Sequence, residues 1–343
     1  MRIGPKLSMF GQFVLIALII FGGSRVQAEI SRHSGGVFSL LPVDQIPDAL
    51  PELSNPDVAG ISMRFYWKTI EPQPGKYRWE QIDQAIALAS RSGKKVMIRV
   101  IAGVGAPEWV YQAGAPWAEP HFQEKQLQRM PPQRRQKLAR MEKAPVVWDP
   151  HYLSSWFAFI GAFGRRYDGN PAIYSIQMSG GGLAGEMNLR REFDWNRYGY
   201  TDARLISTWE QIIDAYQQSF PHTPTNLDIL EPIPRQSQVL QPVVDYCLSK
   251  YPGKVYIQHN GLNASGGDPR YRAIIRQAAA KTRVGYQMTG GGGWLEGKVG
   301  DRGTAFRHAL EDRASYLEVY HGDLLNPALT GTIHNLAVGL AKN

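Results

Sequence analysis

Cysteine is almost absent: Cys247 is the single one among 343 residues. No intramolecular disulfide can form, so burial and hydrogen bonding must hold the fold. Long apolar runs are equally scarce. The run at 13–21 follows Arg2 and Lys6 and precedes Val26-Gln27-Ala28, and it falls short of the roughly 20 residues a bilayer-spanning helix needs. A charged start, an apolar centre and small residues before a cleavage point are the layout of a secretory signal peptide. Residues 1–28 are therefore expected to be a leader, with Glu29 first in a mature chain that is secreted or periplasmic and has no stable membrane span. The formal charge of +8 includes Arg2, Lys6 and Arg25 of that leader. Spacings such as HExxH, CxxC or an acidic calcium loop are missing, so no metal and no cofactor is expected. Nothing resembles a nucleic-acid module, and no nucleic-acid partner is expected.

Residues 29–343 alternate between strand-like and helix-like segments, which argues for a parallel sheet with crossover helices. The expected strands are 36–41, 60–67, 95–101, 173–178, 225–230, 254–258, 283–288 and 316–320. Helical patterns fall at 79–92, 154–167, 203–218, 238–250, 269–281 and 304–313. Eight strands with helices between them predict an α/β fold, a single-domain (β/α)8 TIM barrel, and no GxGxxG follows the first strand to favour an open sheet. The longest connection is 107–150, and within it 124–143 carries seven basic and two acidic residues, among them Arg129, Arg134, Arg135 and Lys137. Long loops after barrel strands rim the active site, so this basic insertion suits an acidic polysaccharide or is a solvated helical excursion.

The stretch 173–189, IYSIQMSGGGLAGEMNL, reads as a strand running into a glycine-rich turn that delivers Glu186. A carboxylate just past a strand end is where an α/β barrel keeps catalytic groups. Period-2 alternation turns Arg64, Arg99, Gln177, Asp228, Gln258, Gln287 and Glu318 towards the barrel axis. So many polar residues exceed what a dry interior tolerates, because each must find a partner. They predict a polar pocket at one barrel end, which Asn260 and Tyr320 would join. Trp67, Trp109, Trp195 and Trp294 fall at the same strand ends, and flat apolar rings beside polar side chains suit a sugar. Asp228, His259 and His321 are read as orienting or hydroxyl-binding groups.

Residues 63–109 contain W-x-x-I-E-P-x-x-G-x-Y-x-W-x-x-I-D, from Trp67 to Asp83, and G-A-P-E-W at 105–109. This stretch resembles the second and third βα units of secreted (β/α)8-barrel glycoside hydrolases, especially the β-galactosidase-type clan. The resemblance implies a glycoside hydrolase acting on O-glycosidic bonds of an oligo- or polysaccharide. It also implies that Glu71 is structural and that Glu186, after the fourth strand, is the acid/base. The Asn-Glu pair usual there is replaced by Gly-Gly-Gly-Leu-Ala-Gly-Glu. The family's nucleophile ends the seventh strand, where this chain has Gln287. The expected second carboxylate is therefore Glu318, with Glu296 and Glu231 as the other options. Expected substrate-binding residues are Arg64, Trp67, Arg99, Trp109, Gln177, Asp228, Gln258, Asn260, Gln287, Trp294 and Tyr320, for a carbohydrate that is neutral or anionic. A non-catalytic glycan-binding barrel and a lyase on acidic polysaccharide are the alternatives.

Overall fold

The computed structural model describes residues 35–343 except 48–49, 120–131, 133–142, 183–184, 191 and 234–237. The expected leader and nearly all of the basic insertion, including Arg129, Arg134, Arg135 and Lys137, lie outside the described residues. Eight parallel strands close into a barrel in sequence order. They are β1 (Gly36–Leu40), β2 (Val58–Tyr66), β3 (Lys95–Ile101), β4 (Ile173–Gln177), β5 (Thr225–Asp228), β6 (Val255–Leu262), β7 (Val284–Met288) and β8 (Tyr316–Tyr320). Register runs unbroken from Gly60↔Lys95 to Tyr66↔Ile101 between β2 and β3, and β8 closes the ring on β1 from Tyr316↔Gly36 onward.

The outer layer is α1 (Glu80–Arg91), α2 (Pro150–Tyr167), α3 (Asp202–Ser219), α4 (Leu240–Lys250), α5 (Pro269–Ala278), α6 (Arg302–Glu311) and α7 (Thr330–Leu340). Their starts follow capping chemistry. Asp149, Asp268 and Asp301 each accept from backbone N–H groups of the first turn, and Pro150 and Pro269 follow the first two caps. The Asp149-Pro150 cap places the start of α2 four residues before the apolar pattern alone does. The long connection leaves and re-enters the barrel rim through a two-residue antiparallel ladder, Trp117↔Pro145 and Ala118↔Ala144.

Barrel strands and helices share one large apolar core. On its α2 side Trp67, Trp156 and Phe159 pack ring against ring, with centroids 4.8 Å apart for Trp67–Trp156 and 5.1 Å for Trp156–Phe159. A second, smaller cluster plugs the barrel bottom: Phe38, Met97, Tyr174, Tyr256 and Tyr316. Tyr174 joins it because the β3–β4 ladder slips there, pairing Val96 with Ile173 but Met97 with Ser175. Large rings need small neighbours. A methyl on Gly285 would sit 2.3 Å from the Tyr316 ring.

Candidate active site

Above the aromatic plug the barrel interior turns polar. Ser175 Oγ donates to Asn226 Oδ1 at 3.2 Å, and Asn226 Nδ2 donates to Gln258 Oε1 at 3.0 Å. Gln258 Nε2 donates to Glu318 Oε2 at 2.6 Å. The other oxygen of Glu318 accepts from Gln177 Nε2 at 2.9 Å and from the Ser62 hydroxyl. Glu318 thus lies on the barrel axis, 0% exposed, held by donors from β2, β4 and β6. A buried carboxylate needs such donors, since an unpaired one costs several kcal/mol.

One layer nearer the carboxyl ends of the strands lie Arg64, Arg99 and Gln177, which face one another in register on β2, β3 and β4. Asp228, Asn260, Gln287 and Tyr320 belong to the same end. Arg64 gives one bond to the Leu41 carbonyl at 3.0 Å and lies beside the Tyr320 hydroxyl. Burial pulls the Arg64 guanidinium below its ordinary value and pushes the Tyr320 phenol up.

Glu186 reaches this layer from the glycine-rich turn. The turn closes on itself through Gly180 N–H to Gly185 O at 3.0 Å, with Gly182 and Gly185 at φ 65° and 85°. A side chain on Gly185 would meet Ser179 Oγ at 2.1 Å, so only glycine fits. The helices pin the turn from behind: Trp156 Nε1 donates to Ser179 O at 2.8 Å, and the Tyr152 hydroxyl to Gly180 O at 2.9 Å. Glu186 Oε1 accepts from Asn260 Nδ2 at 3.0 Å and from Arg99 at 3.5 Å.

Asp228 is the third carboxyl group. It is 2% exposed, and neither of its oxygens receives a donor among the described residues. Burial drives its pKa well above the usual carboxylate range, and the negative charge of Glu186 adds to the rise. Alternation in the sequence turned Asp228 to the axis as a binding group and did not anticipate that it is buried without a donor among the described residues.

The remaining expected residues separate. Gln287 is buried on β7 in register with Glu318, and its Oε1 has no partner among the described residues. Trp294 is 54% exposed and leans on Tyr320, ring centroids 5.6 Å apart. Trp67 corrects the expectation of a ligand contact: it is wholly buried in the α2-side core, where it has no face to offer. Its Nε1 donates to Glu71 Oε2 at 2.7 Å, and Trp109 Nε1 donates to the Glu71 carbonyl at 3.1 Å. Glu71 ties both indoles down and is structural. Glu296 is committed to Arg302, which holds its pKa below the usual range, and Glu231 lies in the Tyr271 corner. His259 is buried against Tyr271 with its pKa lowered to about 4, and His321 bonds Glu52 at 2.6 Å.

Residues 44–184 match the family model for glycoside hydrolase family 42, described as β-galactosidase. The match spans β2 to β4 and stops two residues before Glu186. No curated protein matches the chain. Among solved structures, the cold-adapted β-galactosidase from Rahnella sp. R3 is similar with a TM-score of 0.59 and 12% identity, over 92% of this chain and 57% of that one. The β-galactosidase from the psychrophilic Marinomonas ef1 gives 0.54 and 11%, over 82% and 53%. Endo-glycoceramidase II from Rhodococcus sp. gives 0.51 and 15%, over 84% and 72%. The chain spans little more than half the length of these β-galactosidases. Over residues 44–184, less than half of the chain, it is similar to the β-galactosidase family, and the closed eight-stranded barrel is the fold it shares with these solved structures.

Proposed function

We propose that the chain hydrolyses O-glycosidic bonds of an oligo- or polysaccharide at the carboxyl end of the barrel, outside the cytoplasm after removal of residues 1–28. Glu186 serves as general acid and Glu318 as the second carboxyl group. The observation that carries this reading is a continuous relay between the two: Glu186 accepts from Asn260, Asn260 accepts from Gln258, and Gln258 donates to Glu318. Glycoside hydrolysis needs one carboxyl group to protonate the leaving oxygen and another to stabilise or attack the anomeric carbon. Both oxygens of Glu318 are already engaged by Ser62, Gln177 and Gln258. That favours a fixed negative charge beneath an oxocarbenium-like sugar over direct attack. Trp294, exposed beside Tyr320, offers a ring for a sugar face.

The test is turnover of aryl glycosides and polysaccharides by the wild type, Glu186→Gln and Glu318→Gln. Loss of a proton-transfer group costs about 10²–10⁴-fold. Glu186→Gln should fall by that much on natural substrates and be partly spared on aryl glycosides with good leaving groups. Near-normal turnover in either variant removes that residue from the mechanism. Gln287 specifically favours a second reading, a glycan-binding barrel without turnover, because it places an amide where the superfamily keeps its nucleophile. A wild type that binds oligosaccharide but turns over nothing in a broad screen selects that reading.

A further inference from the structure

We propose that Arg302 is the positioning residue of a preformed sugar-stacking subsite, and that it holds the Trp294 ring in place through Asp323 and Glu296. The proposal rests on the carbohydrate reading above and is independent of turnover. Trp294 is 54% exposed, yet the loop that carries it, between β7 and α6, is tied at each amide from Gly291 to Trp294. Gly291 N–H donates to the Trp294 carbonyl at 2.9 Å, and Trp294 N–H donates back to the Gly291 carbonyl at 3.0 Å. Between them Gly292 N–H donates to Asp323 Oδ1 and Gly293 N–H to Glu296 Oε1, each at 2.9 Å. Arg302, in the first turn of α6, joins the two acceptors. Its Nε and one Nη reach the two oxygens of Asp323, both at 3.1 Å, and that same Nη reaches the two oxygens of Glu296 at 2.8 and 2.7 Å. The other Nη donates to the Gly300 carbonyl at 3.1 Å. One planar fork therefore fixes both carboxylates that fix the loop tip.

Stability alone does not account for this arrangement. The Arg302 and Asp323 side chains are 12% and 5% exposed, and an ion pair so far removed from water gains little over apolar packing of the same volume. Leu295, next to the ring, stands at φ 55°, a left-handed conformation that a residue with a Cβ adopts only at a cost. The loop is also pressed against the turn after β8: a methyl on Gly322 would lie 2.7 Å from Gly292 Cα. Buried charge, strained backbone and close approach converge on one result, a fixed place for a ring that faces solvent. Costs of this kind collect where a ligand is clamped. The ring leans on Tyr320, the last residue of β8, and so borders the end of the strand that carries Glu318. An indole face at that rim takes the C–H face of a pyranose. Holding it beforehand spares the binding step the rotamer freedom of the ring, which is worth up to about tenfold in affinity.

The probes are galactotetraose and cellotetraose, titrated by calorimetry into wild type, Arg302→Met, Trp294→Ala and the double variant. Arg302→Met should weaken binding by about tenfold in the presence of Trp294 and not at all in the Trp294→Ala background, since coupled residues are not additive. Glu296→Gln, at an exposed position, removes only one of the two ties, so it should give a smaller loss with the same dependence on Trp294. Arg302→Lys should recover part of the affinity, because an ammonium keeps the charge without the fork. Fluorine NMR of protein carrying 5-fluorotryptophan reads the ring without a sugar. The Trp294 line, assigned by its loss in Trp294→Phe, should shift and broaden in Arg302→Met and Glu296→Gln. Equal losses with and without Trp294, or an unmoved Trp294 line in either folded variant, overturn the positioning role while the carbohydrate reading stands. Binding of neither tetrasaccharide by the wild type removes the subsite, and turnover of aryl glycosides by that same protein shows that the hydrolase reading survives its loss.

Discussion

Gln258 and Asn260, two residues apart on β6, are joined by a 2.7 Å hydrogen bond in which the Gln258 amide donates to the Asn260 carbonyl oxygen. The same Gln258 nitrogen donates to Glu318, while its oxygen accepts from Asn226. Its donors and one acceptor site are used, and the residue is fully buried. Asn260 turns its own amide to Glu186. Neighbouring inward positions on one strand therefore set the orientation of both glutamates.

Gln258→Leu keeps the volume and removes these bonds. Leaving buried partners unsatisfied costs about 1–3 kcal/mol per group, and Glu318, Asn260 and Asn226 each lose one bond. Chemical denaturation should show a loss of at least about 2 kcal/mol, as a lower midpoint at unchanged m-value. A midpoint equal to wild type would mean that the hydrogen bonds of Gln258 contribute nothing to stability.

The aromatic plug predicts a contrast between two neighbours. Gly285→Ala puts a methyl 2.3 Å from the Tyr316 ring, and overpacking of this kind costs about 1–3 kcal/mol. The Tyr316 hydroxyl is buried with no partner among the described residues. Removing it in Tyr316→Phe should be neutral or stabilising, within about 1 kcal/mol. Thermal unfolding of the two variants checks both signs.

Trp294→Ala should leave stability within about 0.5 kcal/mol, as for most exposed positions, because the ring is 54% exposed. Oligosaccharide affinity should drop on the order of tenfold, about 1.4 kcal/mol, read by titration calorimetry. Loss of stability without loss of affinity would make this ring a structural cover for Tyr320.

The strands were legible because each is bounded by turn residues and alternates with amphipathic helices. All eight appear, and 95–101 and 316–320 match to the residue. Inward alternation correctly turned Gln177, Gln258 and Glu318 to the axis, since a side-chain period of two leaves little choice. Two kinds of information were not there to read. Trp67 and Trp156 are far apart in sequence, so nothing local told that Trp67 meets an α2 ring and not a ligand. The depth of Glu318 and the bond from Asn260 to Glu186 depend on barrel shear and on a turn geometry, which periodicity does not encode. The terminal helix α7 went unread for a simpler reason: Thr330, Gly331 and Gly339 weaken its helical pattern.

His259 predicts how stability responds to acid. It is fully buried on β6, its Nδ1 faces the Ile229 carbonyl at 3.1 Å, and burial lowers its pKa to about 4. The unfolded chain protonates its histidine near 6.5. Between these values the unfolded state binds more protons than the folded one, so stability rises with pH across that window. At pH 7 both states are neutral at this site and nothing is lost. As pH falls from about 6.5 towards 4, the His259 contribution to the loss grows to at most about 3 kcal/mol. Carboxylates titrate in the lower part of the same range, so the informative quantity is the difference between wild type and His259→Phe. The variant removes the proton site and retains a ring against Tyr271. Denaturation midpoints at pH 7, 6, 5 and 4 should converge or cross as the wild type alone pays the protonation penalty. A wild-type-to-variant difference that stays constant over that series rules out the buried, neutral assignment of His259.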